Sequence, residues 1–273
     1  DRNCIFISHP WEAGRDNSPD WDNAMRAINP VGVGEYTRRD TSHVDGSMRP
    51  TQEDYDRYLW LVQRGRKLKW DEELMSVNRP FEVADPTMTF ILLRASRDLL
   101  YMAEALDVDN IEISEWCSTL REGIETLRNP DEGFFNAINC RTNEHSGNIT
   151  SASFLNWYAG IDDDETLKIL TKTLEETRYP IPSLSINSEK FDGMRYWRGP
   201  TWAVLNSLVG VGLSEMGYNA EAKLLRKRTQ SLILEKGFAE YFHPLNGTPG
   251  GGDSFTWTAA VWLAWASPSN GEY

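Results

Sequence analysis

The chain has 273 residues, with 28 basic and 41 acidic side chains, a formal net charge of −13 at pH 7 and a hydrophobic share of 40%. This composition excludes a disordered chain, and the acidic balance argues against binding to nucleic acid or to an anionic membrane. The three cysteines are too few and too widely spaced for a disulfide framework or a zinc cluster. We expect a protein of the cytoplasm and leave open a homo-oligomer.

Helical periodicity dominates the predicted elements. Thr51 and Asp54 form a capping-box pattern, and apolar residues follow at helical spacing from Tyr55. Asp85 and Pro86 supply a cap and a first-turn proline for a second long helix. Further helices are predicted at residues 21–29, 109–127, 163–176, 200–216, 219–235 and 254–266. Strands are predicted only at residues 4–7 and 134–138, so the pattern indicates one all-α domain over residues 1–273.

Glycine, proline, aromatic and acidic residues concentrate in three loops, at residues 9–21, 179–202 and 237–257, and each loop runs into a helix. Loops of this kind on a rigid scaffold are where binding and catalysis concentrate. The 11 tryptophans of the chain fit stacking on sugar rings as well as core packing. The three loops together therefore predict the functional site.

Acidic side chains among aromatic ones are the candidates for chemistry. Asp16 lies between Trp11 and Trp21, and a carboxyl group beside an indole loses hydration, which raises its pKa and makes it a usable proton donor. Glu240, among the aromatic residues of the third loop, could activate water. Such a pair suits glycoside hydrolysis, which needs one acid and one carboxylate. On the residues alone, Asp16 could equally be a helix cap, and Glu240 could be a surface acid.

The second loop presents Tyr196, Trp197 and Arg198 directly before a helix. Aromatic rings stack on the apolar face of a sugar, while phenol and guanidinium groups donate to its hydroxyls. Trp257, in the third loop, offers a further stacking surface. A tryptophan-rich helix start that packs into the core is the alternative interpretation of the second loop.

Three segments resemble glycoside hydrolase family 63, and they bracket nearly the whole chain. They are His-Pro-Trp-Glu-Ala-Gly-Arg-Asp-Asn-Ser-Pro at 9–19, Tyr-Trp-Arg-Gly-Pro-Thr-Trp at 196–202, and Glu-Tyr-Phe-His-Pro at 240–244 with Phe-Thr-Trp-Thr-Ala at 255–259. The bacterial glucosylglycerate and mannosylglycerate hydrolases look most similar, with trehalases as more distant relatives. The resemblance implies an (α/α)6 barrel of twelve helices with the active site at one mouth. Because the chain offers fewer helices, we expect a barrel incomplete at its N-terminus, of which this chain forms the C-terminal two-thirds.

The resemblance also implies roles for particular residues. Asp16 matches the general acid and Glu240 the general base of an inverting reaction on an α-glucosyl or α-mannosyl glycoside. Trp11, Tyr196 and Trp197 would line the sugar pocket. No metal ion or cofactor is implied, and the expected partner is a small-molecule glycoside.

The loop at residues 38–49, with Tyr55 after it, resembles the stretch that meets glycerate in the glycosylglycerate hydrolases. A guanidinium binds a carboxylate by forked hydrogen bonds, so we expect Arg49 and Tyr55 to contact a charged aglycone, as in glucosylglycerate. A solvated basic loop is the alternative.

Other functions stay open at this point. A trehalase-like enzyme or an oligosaccharide α-glucosidase would use the same two carboxyl groups. A catalytically inactive carbohydrate-binding barrel fragment would bind sugar through its tryptophans without turnover. Asn148 and Asn246 match the N-glycosylation acceptor pattern of a secreted glycoprotein.

Overall fold

The computed structural model describes residues 2–42 and 44–270, so His43 of the predicted aglycone loop lies outside the described residues. The all-α expectation is confirmed, because helices form most of the regular structure. In chain order the helices are α1 (Asp22–Arg26), α2 (Gln52–Lys67), α3 (Glu72–Ser76), α4 (Pro86–Ala105), α5 (Ile111–Thr126), α6 (Asp164–Glu176), α7 (Ala203–Glu215), α8 (Asn219–Lys236) and α9 (Thr256–Val261). The most extensive packing joins α4 to α5 and α7 to α8.

Helix starts follow the predicted caps. Thr51 and Asp54 make a reciprocal capping box at the start of α2. Asp85 accepts hydrogen bonds from the backbone amides of Thr87 and Met88, at 3.3 and 3.1 Å, and Pro86 occupies the first turn of α4. Local side-chain chemistry therefore sets where these two helices begin.

Three helices differ from their predicted bounds for physical reasons. The predicted helix at 21–29 ends at Arg26, and Asn29 before Pro30 is disfavoured in helical conformation. The predicted helix at 200–216 begins only at Ala203, because Thr201 exchanges backbone hydrogen bonds with Phe242 at 2.7 and 3.0 Å. The predicted helix at 254–266 is α9 followed by a π-helical turn, Trp262–Ala266.

Short strands tie the helices together. Strands β1 (Phe6–Ile7), β2 (Val83–Ala84), β3 (Ile138–Asn139) and β4 (Glu144–His145) form one antiparallel sheet in that order. Strand β5 (Tyr241–Phe242) pairs with β6 (Pro249–Gly250). The strand predicted at 4–7 contains β1, whereas the one predicted at 134–138 overlaps β3 only at its last residue. Residues 134–137 are buried, and among them Phe135 forms an isolated antiparallel bridge with Arg128. Their burial explains the strand-like apolar pattern.

The core consists mainly of one large apolar cluster, and a second cluster lies beneath the first loop. Trp157, Trp197 and Trp202 belong to the large cluster, and Trp21 and Tyr58 to the second. Tryptophan therefore fills much of the interior. Within the described ranges, no helix combines the length and apolarity needed to cross a bilayer.

A buried ion network fixes the first loop to α4. Arg15, to which the sequence assigned no role, donates to Asp20 at 3.0 Å and to Asp85 at 2.7 Å, and these side chains are at most 2% exposed. The Asp20 carboxylate also accepts hydrogen bonds from Ser146 at 2.8 Å and from Thr150 at 3.2 Å. Arg15, which precedes Asp16, thus joins the first loop to the start of α4, and Asp20 joins the same loop to residues 146–150.

Removing Asp85 should be much more costly than removing an ordinary helix cap. Asp85→Ala leaves Arg15 buried without one of its partners, and breaking such a pair costs about 3–5 kcal/mol of stability. Asp71→Ala is the matched control, because Asp71 caps α3 at the surface with one bond of 3.0 Å to the Leu74 amide, and its loss costs about 1 kcal/mol. Urea unfolding measures both, and equal losses would contradict the importance of the network.

Candidate active site

A cavity of about 300 Å³ lies where the first loop, the segment before α2 and the second loop meet. It is lined by Trp11, Asp16, Asp40, Arg49, Pro50, Tyr55 and Tyr196. Five of the residues singled out from the sequence therefore line one hollow, although they come from distant parts of the chain. The first loop supplies Trp11 and Asp16, and the other segments supply the remaining lining residues.

Asp16 lies half-buried in this cavity. Burial raises its pKa to about 6, and the charges of Asp40 and Glu240 add to the rise, whereas its own backbone amide and Arg49 oppose it. The Tyr58 hydroxyl donates to the Asp16 backbone carbonyl at 2.7 Å and so holds the loop in place. The carboxyl group therefore keeps its proton closer to neutral pH than an exposed aspartate does, and this raised pKa agrees with the sequence prediction.

Glu240 lies directly behind Arg49 and is only 6% exposed. Its Oε2 atom accepts hydrogen bonds from Arg49 Nη2 at 2.9 Å and from the Gly252 amide at 3.2 Å. Its Oε1 atom accepts no hydrogen bond from the described residues. One carboxylate oxygen is thus held in place, and the other is left to a ligand or to water.

The glycine run before α9 permits this close approach. At Gly251, φ is +68°, and an added Cβ would lie 2.1 Å from Oε2 of Glu240. A side chain there would collide with the carboxylate as well as straining the backbone. Within the glycine run at residues 250–252, Gly251 and the Gly252 amide therefore pack directly against the Glu240 carboxylate.

Arg49 links the cavity to Glu240. Its side chain is 13% exposed, and its guanidinium carbon lies 4.4 Å from the centre of the Tyr196 ring. A half-buried, paired guanidinium stacked on an aromatic ring does not fit the solvated-loop alternative for this residue. Tyr196 itself has φ of +37°, a conformation that non-glycine residues seldom adopt outside functional sites.

Aromatic rings form part of the cavity lining. Trp11 is 39% exposed, and its ring centre lies 6.1 Å from that of Tyr55 and 5.8 Å from that of Tyr58. His9 holds Trp11 in place, because its Nδ1 accepts the Trp11 backbone amide at 3.0 Å. Burial lowers the pKa of His9 to about 4, so His9 stays neutral and keeps this acceptor near neutral pH.

Two of the predicted binding residues do not line the cavity. Trp197 is 2% exposed and stacks on Trp202, with ring centres 4.0 Å apart, inside the core. Trp257 is 49% exposed and contacts the ring of Phe255 at the start of α9. The second loop thus divides its aromatic residues, with Tyr196 at the cavity and Trp197 packed beneath it.

Sequence reasoning missed several contributors to the site. Asp40 lines the cavity and is bound by Arg38, which also lies 4.5 Å from the centre of the Tyr55 ring. The short spacing of Arg38 and Asp40 is a signal that could have found this pair. No local signal marks the backbone of Gly252 as a donor to Glu240. In the part of the chain that the structure describes, no three His, Cys, Asp or Glu side chains group as metal ligands.

Paired helices whose connecting loops meet at a shared hollow form the architecture of (α/α)6 glycoside hydrolase domains. The crystal structure of a family 63 mannosylglycerate hydrolase from Thermus thermophilus, in complex with Tris and D-glycerate, confirms this fold. It superposes with a TM-score of 0.91 at 37% identity, over 96% of this chain and 65% of that one. The predicted (α/α)6 fold is therefore correct.

Sequence comparison identifies the family. The profile of the mannosylglycerate hydrolase MGH1-like glycoside hydrolase domain matches residues 2–258. The mannosylglycerate hydrolase MGH1 of Selaginella moellendorffii is 38% identical over 96% of this chain and 55% of its own length. The glucosylglycerate hydrolase of Mycolicibacterium hassiacum is 31% identical over 97% of this chain and 62% of its own length.

The chain belongs to the mannosylglycerate hydrolase MGH1-like glycoside hydrolases, within glycoside hydrolase family 63. The resemblance seen in the three motifs is thereby confirmed. The chain spans between about half and two thirds of the length of the curated relatives it matches.

The raised pKa of Asp16 predicts a pH-dependent stability effect. The folded protein holds this proton more tightly than the unfolded chain, whose aspartate titrates near 3.8, so stability falls as the pH rises from about 4 to about 6. Asp16→Asn removes the buried charge and should raise the free energy of unfolding by about 1–3 kcal/mol above pH 7. Below pH 4 it should change little.

Thermal or urea unfolding at the two pH values measures this difference. Asp40→Asn is the control from the same cavity, and because Asp40 is paired with Arg38, we expect no gain in stability from it. A gain from Asp16→Asn that is the same at both pH values would contradict the assigned cause.

Proposed function

We propose that this chain is the catalytic domain of an inverting glycoside hydrolase, and that residues 1–273 form a single domain. The proposed substrate is a small α-mannosyl or α-glucosyl glycoside with a carboxylated aglycone, such as mannosylglycerate or glucosylglycerate. The observation that carries the proposal is that Asp16 and Arg49 line one cavity and that Arg49 is bonded to Glu240 at 2.9 Å. The pKa of Asp16, raised to about 6, supports its role as the acid. The activities for which the relatives are named support the substrate class.

The proposed reaction uses each carboxyl group once. Oε1 of Glu240 takes a proton from a water molecule as the water oxygen bonds to the anomeric carbon. The bond from that carbon to the aglycone oxygen breaks, and Asp16 gives its proton to the departing oxygen. Water enters on the face opposite the aglycone, so the configuration inverts.

Further contacts would position the two halves of the substrate. The exposed ring of Trp11 offers an apolar face for a sugar, and Tyr196 closes the opposite side of the cavity. A carboxylate on the aglycone would meet the Arg49 guanidinium, with Tyr55 beside it. Trehalose lacks that carboxylate, so the position of Arg49 favours glycosylglycerates over a trehalase-like substrate.

Variants of the two carboxyl groups test the reaction. Asp16→Asn and Glu240→Gln should each lower kcat by at least about 10²-fold, because each removes a proton transfer. Glu235→Gln is the matched control, since Glu235 lies at the exposed end of α8, bonded to Tyr179 and Arg178, and it should keep its rate.

The assay follows hydrolysis of mannosylglycerate and glucosylglycerate by the whole protein, with the product anomer read by NMR. A β-sugar as first product supports inversion. Near-normal rates in either carboxyl variant would overturn the catalytic assignment. Sugar binding without turnover in the unaltered protein would favour the inactive carbohydrate-binding barrel.

Binding of the aglycone can be tested without turnover. In the Asp16→Asn background, D-glycerate should bind and glycerol should not, because only glycerate carries a carboxylate for Arg49. Adding Arg49→Ala should weaken D-glycerate binding by about 10–100-fold, the value of one or two charge-assisted hydrogen bonds. Titration calorimetry measures both, and unchanged affinity would remove Arg49 from the aglycone site.

A further inference from the structure

Arg49 occupies an unusual position between the cavity and the carboxylate behind it. It lines the cavity, yet its Nη2 atom is bonded to Oε2 of Glu240 at 2.9 Å. The residue proposed to receive the aglycone charge is therefore also the hydrogen-bond partner of the proposed base. The Arg49 guanidinium would then bind both the aglycone carboxylate and the Glu240 carboxylate, so binding of the aglycone can affect the reaction rate.

We propose that Arg49 is a positioning residue through which the charge of the aglycone activates Glu240, a role that rests on the proposed function. In the free protein, Arg49 and the Gly252 amide hold Oε2, so that Oε1 faces the reacting water. When a substrate carboxylate binds the same guanidinium, Arg49 divides its attraction between two anions. Glu240 then becomes the stronger proton acceptor in the substrate complex.

The hydrogen-bonding capacity of Arg49 allows this sharing. A guanidinium carries five N–H donors in a planar fork, and the bond to Glu240 uses one of them. The Arg49 side chain also lines the cavity and stays 13% exposed. Stacking on Tyr196 holds the plane of the fork, so a second carboxylate can bind along another edge without breaking the bond to Glu240.

The surrounding charges leave this coupling intact. Asp40 and Glu240 act electrostatically on Asp16, and Glu240, Tyr196 and Tyr241 lie close enough to act on Arg49. Burial raises the pKa values of both tyrosines above their ordinary range, so they stay neutral. Asp40 is paired with Arg38. Arg49 is thus the cation in direct contact with Glu240 in the described part of the site.

The decisive experiment separates kcat from KM with two matched substrates. Mannosylglycerate carries a carboxylate on its aglycone, and mannosylglycerol carries a neutral hydroxymethyl group at the same position. The two substrates are otherwise identical, and the glucosyl compounds form a second such pair. For the unaltered whole protein, kcat itself should be about tenfold higher with the carboxylate. In Arg49→Gln, the two kcat values should converge. Equal kcat values in the unaltered protein, with a difference confined to KM, would overturn the inference.

A second arm supplies the charge in trans. The α-fluoride of the same sugar needs no proton for its leaving group, so its hydrolysis reports on the base. D-glycerate should raise the kcat of fluoride hydrolysis severalfold in the unaltered protein. It should not change this kcat in Arg49→Gln, and glycerol should not change it in either protein.

The possible failures are distinguishable. If D-glycerate only inhibits fluoride hydrolysis, the coupling through Arg49 is wrong while the hydrolase stands. If neither the glycosides nor the fluoride is hydrolysed, the proposed function itself is wrong. The two arms on the unaltered protein decide the question even if Arg49→Gln does not fold.

Discussion

The contact between Arg15 and its two aspartates is the interaction on which the site depends. Buried ion pairs seldom stabilise a protein more than apolar packing would, since their desolvation offsets their attraction. They do demand one arrangement, because each charged group must find its partner. Arg15 joins the first loop to the start of α4 through Asp85, and Asp20 extends the connection to Ser146 and Thr150. The neighbouring Asp16 is thereby held at one place over the cavity.

The rest of the site is assembled from loops that the helices bring together. Glu240 comes from the third loop, Tyr196 from the second and Arg49 from the segment before α2. Each is held by contacts to another loop, as in the bond from Arg49 to Glu240. Two carboxyl groups with different surroundings result: Asp16 borders the cavity, and Glu240 is enclosed by Arg49 and the glycine run. The two groups therefore differ in burial and in their charged neighbours.

Much of the helical framework, and the raised pKa of Asp16, could be predicted from the sequence, because their signals are local. Caps such as Thr51 and Asp85 act within one turn, and the aromatic surroundings of Asp16 lie within a few residues. Pairings between distant segments leave no such mark. No sequence feature near Arg15 predicts Asp85 as its partner. No feature of the second loop predicts which of its aromatic rings lines the cavity and which packs into the core. Tyr196 faces the cavity while Trp197 stacks on Trp202, and backbone conformation decides that division.

The depth of the ion contacts also determines how the protein responds to ionic strength. Dissolved ions screen exposed charges over a Debye length of about 8 Å at physiological salt, but they reach buried pairs much less. The carboxylates around Arg15 are fully enclosed, whereas Asp40 beside Arg38 is 23% exposed at the rim. At high salt concentration, the ion pairs of Arg15 with Asp20 and Asp85 therefore persist, while the pair of Arg38 and Asp40 weakens. Salt would alter how a charged molecule enters the hollow more than it alters the scaffold that receives it.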